Sequence, residues 1–369
     1  MFSKNGQISM RQTFRLFTYD FIGISTLLLP AFLAKGAGTD GFFCILLGSF
    51  LGILYISLLG WCIKRMEGDV LGYLKQETGG FFQKLVLLFF LVHSVLMAGY
   101  CAYTFSVLML KSLIREESFW LVLVLVLAIA GYGIIGGIEG RARIYEVVFW
   151  FILIPLVIML ICALPEVDTD RWMPIADSSL LALADGSYLV FLFSTTVFWM
   201  LFFPKFISAK NQGKALVSCV KKAFLLSAVV LAALYLILLG AFGHRALADM
   251  EFPAVTLMSM VQITGGFLKR TDAFMLGVWF FTLFAFLNTN LFYGSKMLKE
   301  IVDKEGNKRY MLCLLVLTFI ISAVFYLFQG AEDLFYQYFR FIGAPLLVIL
   351  PVIFGIRGKG KKHAEQDES

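Results

Sequence analysis

Charge, proline and glycine divide the chain into ten long apolar runs, and the length of those runs decides what it can be. They cover approximately 12–34, 41–63, 85–110, 119–136, 145–164, 188–203, 216–242, 273–297, 310–328 and 336–356. About 20 apolar residues in helical conformation cross the hydrocarbon of a bilayer. Backbone polar groups in that medium must be satisfied internally, which for unalternating runs of this length means helices. The expected fold is therefore an all-α polytopic membrane protein of ten transmembrane helices. Of its 369 residues 60% are hydrophobic and 15% charged, whereas soluble domains run at roughly 45–50% and about 25%. Residues 1–356 read as one integral membrane domain and 357–369 as a short polar tail.

The loops between the runs give an orientation. When successive loops are assigned to alternate sides, Lys and Arg fall about three to one on the side of the N-terminus, which makes both termini cytoplasmic. The stretch 166–185, with Asp168, Asp170 and Asp177, falls on the external side. The net charge of +6 then reports orientation in the bilayer, and nucleic acid is not a partner. The first run lacks a small-residue cleavage site and reads as a retained span, not a signal peptide. The six cysteines lie in or beside apolar runs without a CxxC pair and read as packing residues. Three histidines form no metal-binding pattern, and no phosphate loop or nucleophile elbow occurs. No cofactor and no enzymatic chemistry are expected.

Two runs carry matching interruptions. The first contains Gly23-Ile24-Ser25-Thr26 followed by Leu29-Pro30, and the sixth contains Phe193-Ser194-Thr195-Thr196 and ends at Phe203-Pro204. Five runs separate them. Such pairs point to discontinuous helices in five-plus-five inverted-repeat transporters, where free backbone groups face an anion or hold a cation. Continuous kinked helices whose Ser and Thr bond back to their own turn would carry the same residues.

Three segments add a resemblance. Ile8-Ser9-Met10-Arg11-Gln12 leads to Gly23 and Leu29-Pro30. Gly137-Ile138-Glu139-Gly140-Arg141-Ala142-Arg143-Ile144-Tyr145-Glu146 follows the pattern Gly-x-Glu-x-x-Ala-Arg-x-x-Glu. Phe252-Pro253 precedes Gly266-Phe267-Leu268-Lys269-Arg270-Thr271-Asp272. In order and spacing these resemble the endospore germination permeases, the B subunits of germinant receptors, within the amino acid, polyamine and organocation transporter superfamily. The resemblance implies a five-plus-five inverted repeat of the amino-acid permease type with broken helices one and six. It implies recognition of a small nutrient germinant, an amino acid or similar, in the spore inner membrane. An A-type membrane subunit and a C-type lipoprotein would be the partners. The alternative is a proton- or sodium-coupled amino-acid transporter acting alone. Where many members of the family have Phe-Gly-Glu in span six, this chain has Phe193-Ser194-Thr195.

Candidate site residues follow. Gly23, Ile24, Ser25 and Thr26 could bind a carboxylate through unwound backbone, facing Ser194, Thr195 and Thr196 from span six. Asn288 and Thr289 form a polar cluster inside a Phe-rich run, and Tyr100 and Tyr103 stand one turn apart and could wall a pocket. Asp20 lies within an apolar run, where an exposed acid costs about 2.5–3.5 kcal/mol on insertion scales. It is a candidate for proton or ion coupling, or a partner of Arg15 or a basic loop. His93 could titrate near neutrality or simply pack. Glu139, Arg143 and Glu146 suggest a salt-bridged latch between spans four and five, and Arg270 with Asp272 a similar pair at the external end of span eight. The stretch 251–267 reads as a surface or re-entrant helix, and Gly48-x-x-x-Gly52 and Gly133-x-x-x-Gly137 as close-packing sites.

Overall fold

The computed structural model describes residues 6–66, 68–114, 116–208, 213–260, 271–302 and 307–358, without the side chains of 271–275 and 307–308. Arg270 and the side chain of Asp272 thus lie outside the described residues. The described residues are mostly helical, and no strand occurs among them. Eight stretches are long and apolar enough to cross a membrane, and the first of them, Met10–Met66, contains two helices.

Those two are α1 (Met10–Ala37) and α2 (Gly41–Met66), joined by the 3-10 turn Gly38–Asp40. A capping box opens α1: Ser9 Oγ accepts the N–H of Gln12 at 3.3 Å, and Gln12 Oε1 accepts that of Ser9 at 2.9 Å. The short α3 (Val70–Glu77) is capped by Asp69 and leads to α4 (Gly80–Ser112). Next come the shorter apolar α5 (Phe119–Ile135) and α6 (Gly137–Cys162), which begins eight residues before the apolar run it contains. The α-helical part of span six, α7 (Leu180–Ser194), gives way to 3-10 geometry over Thr195–Phe202. Then follow α8 (Lys214–Asp249), which kinks at Gly243 (φ 74°), the short α9 (Pro253–Met260), α10 (Thr271–Val302) and α11 (Asn307–Leu327). The last stretch comprises α12 (Ala331–Tyr338), a π turn over Phe339–Gly343, and α13 (Ala344–Arg357). Helix α9 lies within the stretch expected to form a surface helix; residues 261–270 are outside the description.

The centre of the bundle is α1, packed on α8, α10, α6 and α7, with α4 against α10 and α2 against α7. Apolar side chains gain little by exchanging lipid for protein, so close approach has to come from small residues. A Cβ added at Gly48 would stand 2.5 Å from Val190 Cβ, and one at Gly52 2.5 Å from Phe224. This is how α2 seats on α7 and α8.

Helix one is not broken. The helix runs unbroken through Gly23–Thr26, and the expectation of an unwound segment there is corrected. The physical reason is local satisfaction combined with packing. Ser25 Oγ donates to the carbonyl of Phe21, and Thr26 Oγ1 to that of Ile22 at 2.6 Å. A Cβ at Gly23 would stand 3.0 Å from Thr282 Cβ on α10, so the glycine serves helix contact. In span six the change of helix type does fall at Ser194-Thr195. There Thr195 Oγ1 donates to Leu192 O at 2.7 Å and Thr196 Oγ1 to Phe193 O at 2.9 Å, both three residues back. The chain tightens without opening. Eight residues of 3-10 helix exceed the usual run of about three or four, which marks this segment as conformationally special.

Candidate functional site: a two-sided cavity and a buried charge network

A cavity of about 400 Å³ opens at the face of the bundle opposite the start of α1. Its inner wall is built from Ile24 of α1, Met97 and Tyr100 of α4, Phe193 and Thr196 of span six and Phe286 of α10. Its mouth carries Lys35, Asp185, Glu332, Asp333 and Arg340. Arg340 stands in the π turn, a geometry frequent at functional sites. Its guanidinium forms a two-pronged ion pair with Asp185 of α7, one prong at 3.3 Å. Tyr188 Oη donates to the Arg340 carbonyl at 2.6 Å, fixing the turn to α7. On the opposite rim Tyr103 Oη donates to Glu332 at 2.8 Å, and Tyr100 stacks on Phe335 with ring centres 4.8 Å apart. A second compartment of about 220 Å³ shares Phe32, Lys35, Tyr100 and Glu332 with the first and reaches Glu251, which pairs with Lys111 ahead of α9. The arrangement is an aromatic interior under a rim that offers both signs of charge to one small solute.

At the other end of the bundle lies a polar network. Arg141 of α6 is 2% exposed and Asp20 of α1 7% exposed. They meet through Thr289 of α10, which accepts from Arg141 and donates to Asp20 Oδ1 at 2.8 Å. Arg141 also lies over the ring of Phe292 at 5.3 Å. Tyr145 Oη accepts from Asn288 Nδ2 at 3.3 Å, and its carbonyl accepts from Tyr19 Oη at the same distance. Among the described residues Arg141 Nε, Asn288 Oδ1 and Tyr293 Oη have no hydrogen-bond partner. Two buried opposite charges offset each other's desolvation only while both persist. Loss of the Asp20 charge would therefore leave Arg141 buried without a counter-charge where α1, α6 and α10 meet.

The structure divides the residues singled out from sequence among several places. Ile24, Tyr100 and Thr196 line the cavity and Tyr103 its second compartment. Ser25 and Ser194 face a separate void of about 20 Å³. Gly23, Thr26 and Thr195 are in helix packing, with Thr26 Oγ1 accepting from Trp279 Nε1 at 3.3 Å. Asn288 and Thr289 belong to the charge network with Asp20 and away from the cavity. His93 is buried among Phe89, Phe198 and Phe339, its Nδ1 3.3 Å from Tyr338 Oη.

The expected latch between spans four and five is corrected. Arg143 pairs with Glu139 one turn back in α6 at 3.2 Å. Glu146 pairs instead with Arg11 and accepts from Gln12 at 2.8 Å, while Arg15 donates to its carbonyl at 2.7 Å. The latch thus ties α1 to α6, because α6 starts at Gly137 and turns Glu146 toward the basic first turns of α1. Sequence reasoning missed Arg141, Asp185, Glu332 and Arg340. Arg141 had a signal: once the helix is extended back to Gly137, Arg141, Tyr145, Phe149 and Ile152 fall on one buried face.

Comparison with known proteins supplies the context. Solved as a substrate-bound, outward-open state, a Na⁺-coupled sialic acid symporter superimposes with a TM-score of 0.68, covering 96% of this chain and 88% of the symporter at 11% identity. That likeness shows a transporter fold. Spore germination protein YndE of Bacillus subtilis is 22% identical, over 99% of this chain and all of the relative. Spore germination protein B2 of the same organism is 22% identical over 94% of each chain, and GerQB of Bacillus cereus 22% over 95% of this chain and 96% of the relative. Family and fold are those of membrane permeases and transporters, not enzymes. The family model described as spore germination protein, the spore permeases, matches residues 7–333, and the chain belongs to that family.

Proposed function

We propose that this protein is the membrane subunit of a nutrient germinant receptor. A small zwitterion, an amino acid in the first instance, binds in the 400 Å³ cavity and shifts the bundle between two states, which an A-type subunit and a C-type lipoprotein read. The observation that carries the reading is the Arg340–Asp185 pair at the cavity mouth. A zwitterion supplies a carboxylate for Arg340 and an ammonium for Asp185, so it can replace each partner by the other's ligand equivalent. Aromatic surface inside the rim accommodates an apolar side chain. The germination names of the relatives and the transporter fold support the same reading.

In this proposal α1, α2, α4, α5, α6, span six, α8, α10, α11 and the α12–α13 stretch make ten crossings in two inverted halves. The lysine and arginine distribution supports cytoplasmic termini, and the germination names of the relatives support the spore inner membrane. The test is binding of amino acids to the purified chain together with germination of a deletion strain. Saturable binding lost in Ile24→Trp, with nutrient-specific loss of germination, supports it. Normal germination of the null strain with every nutrient would sink it.

A second reading, a proton-coupled amino-acid transporter acting alone, is favoured by one observation, the carboxylate of Asp20 buried opposite Arg141. Uptake into proteoliposomes separates the two. Gradient-driven accumulation by the lone chain, abolished in Asp20→Asn, favours the transporter.

A further inference from the structure

The face of the bundle that carries the start of α1 holds a concavity of a different kind. An open groove of about 560 Å³ runs between the end of α2 and the beginning of α8. Each helix gives it one stripe at helical spacing, with Lys64 closing the stripe on α2 and Lys214, Lys221 and Lys222 placed along that on α8. Further into the bilayer the stripes become apolar, at Ile53 and Leu225. Among the described residues no acid lines the groove, and none of the four lysines has an ion pair or hydrogen bond. The first turn of α8 likewise carries no acid, and no described side chain caps it, which adds the positive end of a helix dipole to the same spot.

The dimensions point to the occupant. From Lys64 to Ile53, and from Lys214 to Leu225, is eleven residues, about 16 Å of helix. That is close to the hydrocarbon depth of one leaflet, half of the roughly 30 Å core. Leu54, Leu225 and Val229 beside the groove are 50%, 53% and 59% exposed and continue its apolar surface along the bundle. Lys64 and Lys214 stand at the mouth of the groove, and Lys221 and Lys222, two turns further along α8, lean back toward it as helical side chains lean toward their own N-terminus. Cations converging above an apolar trough complement a phosphate carrying an acyl chain. A free phosphate would gain nothing from the trough.

We propose that this groove binds one anionic phospholipid, its headgroup phosphate held by Lys64, Lys221 and Lys222 and one acyl chain lying along Ile53 and Leu225. The site is independent of the germinant cavity and rests only on the chain being membrane-embedded.

The test uses the full chain in nanodiscs of phosphatidylcholine with a small fraction of phosphatidylglycerol, read by native mass spectrometry and thermal unfolding. In K64Q/K221Q/K222Q the retained phosphatidylglycerol falls by at least about tenfold, since a basic residue near an anionic surface contributes roughly 1 kcal/mol. The thermal shift given by phosphatidylglycerol disappears, and unfolding in pure phosphatidylcholine stays at the wild-type temperature. K75Q/K84Q/K299Q, on the same face outside the groove, retains the lipid. Equal loss in both triple variants reveals diffuse attraction and overturns the proposal, as does retention in both. Displacement of the lipid by soluble glycerol phosphate also overturns it, since the groove would then be a site for free phosphate.

Discussion

Thr289 Oγ1 donates to Asp20 Oδ1 at 2.8 Å while accepting from Arg141, so one hydroxyl on α10 joins a carboxylate on α1 to a guanidinium on α6. Removing either charge leaves the other buried and uncompensated. Asp20→Asn and Arg141→Met should each lower stability by about 3–5 kcal/mol, whereas a joint Asp20→Leu/Arg141→Met replacement should cost far less than the sum. Thermal unfolding in nanodiscs, analysed as a double-mutant cycle, checks this. Additive losses would show that the two charges do not act as a pair.

At the opposite face, Arg340 and Asp185 should divide the recognition of a zwitterion between them. Charge-assisted hydrogen bonds contribute about 1.5–3 kcal/mol, so Arg340→Gln should weaken amino-acid binding by roughly ten- to a hundredfold. Asp185→Asn should weaken binding of an amino acid more than that of the corresponding carboxylic acid lacking the amine. The exchange Asp185→Arg/Arg340→Asp restores the ion pair but reverses the rim. It should recover folding without recovering affinity, which isothermal titration calorimetry and unfolding together can read. Full recovery of affinity would mean that the pair is structural.

Gly23 and Ile24 are neighbours in sequence with separate roles in the structure. Gly23→Ala places a methyl 3.0 Å from Thr282 and should cost about 1–3 kcal/mol of stability by overpacking, with affinity unchanged in the folded fraction. Ile24→Trp fills part of the cavity and should abolish binding while the chain still folds. A large loss of affinity in Gly23→Ala, without loss of stability, would return the ligand to the backbone of α1.

These contrasts show which parts of the molecule could be read in advance. The long apolar helices were legible because bilayer thickness converts directly into residue count, and eight stretches of the described chain are long and apolar enough to cross a membrane. In span six the place of the irregularity was legible, because Ser194-Thr195-Thr196 offers hydroxyls that compete for backbone carbonyls, but its kind was not: a break was expected and the chain tightens into 3-10 helix. The same chemistry misled at Ser25 and Thr26, where it secures a continuous helix: composition does not tell an unwound segment from one closed by its own side chains. Asp185 and Arg340 are 155 residues apart, and only the tertiary fold brings them to one rim. Arg141 was hidden in a basic segment that seemed to belong to a loop, since a helix start placed too late removes a residue from its buried face.

The turn between α1 and α2 gives a test away from both sites. Asp40 is 1% exposed, and its carboxylate accepts the N–H groups of Ala176 at 2.6 Å and Ser178 at 2.7 Å. Ala176 has a φ of 61°, a left-handed conformation that costs a residue with a side chain roughly 1–2 kcal/mol. The two N–H bonds to a charged acceptor, about 1.5–3 kcal/mol each, hold it there and clasp the segment after α6 onto the α1–α2 turn. Ala176→Gly removes the steric cost and adds about 0.5–1 kcal/mol of chain entropy to be lost on folding. It should therefore leave stability unchanged or raise it by up to about 1 kcal/mol. Asp40→Ala should lower stability by about 3 kcal/mol, and combined with Ala176→Gly by less, because the glycine no longer needs the clasp. Chemical unfolding of the three variants in one detergent checks the order. A loss in Ala176→Gly as large as that in Asp40→Ala would show that the Ala176 methyl packs and that the turn is not strained.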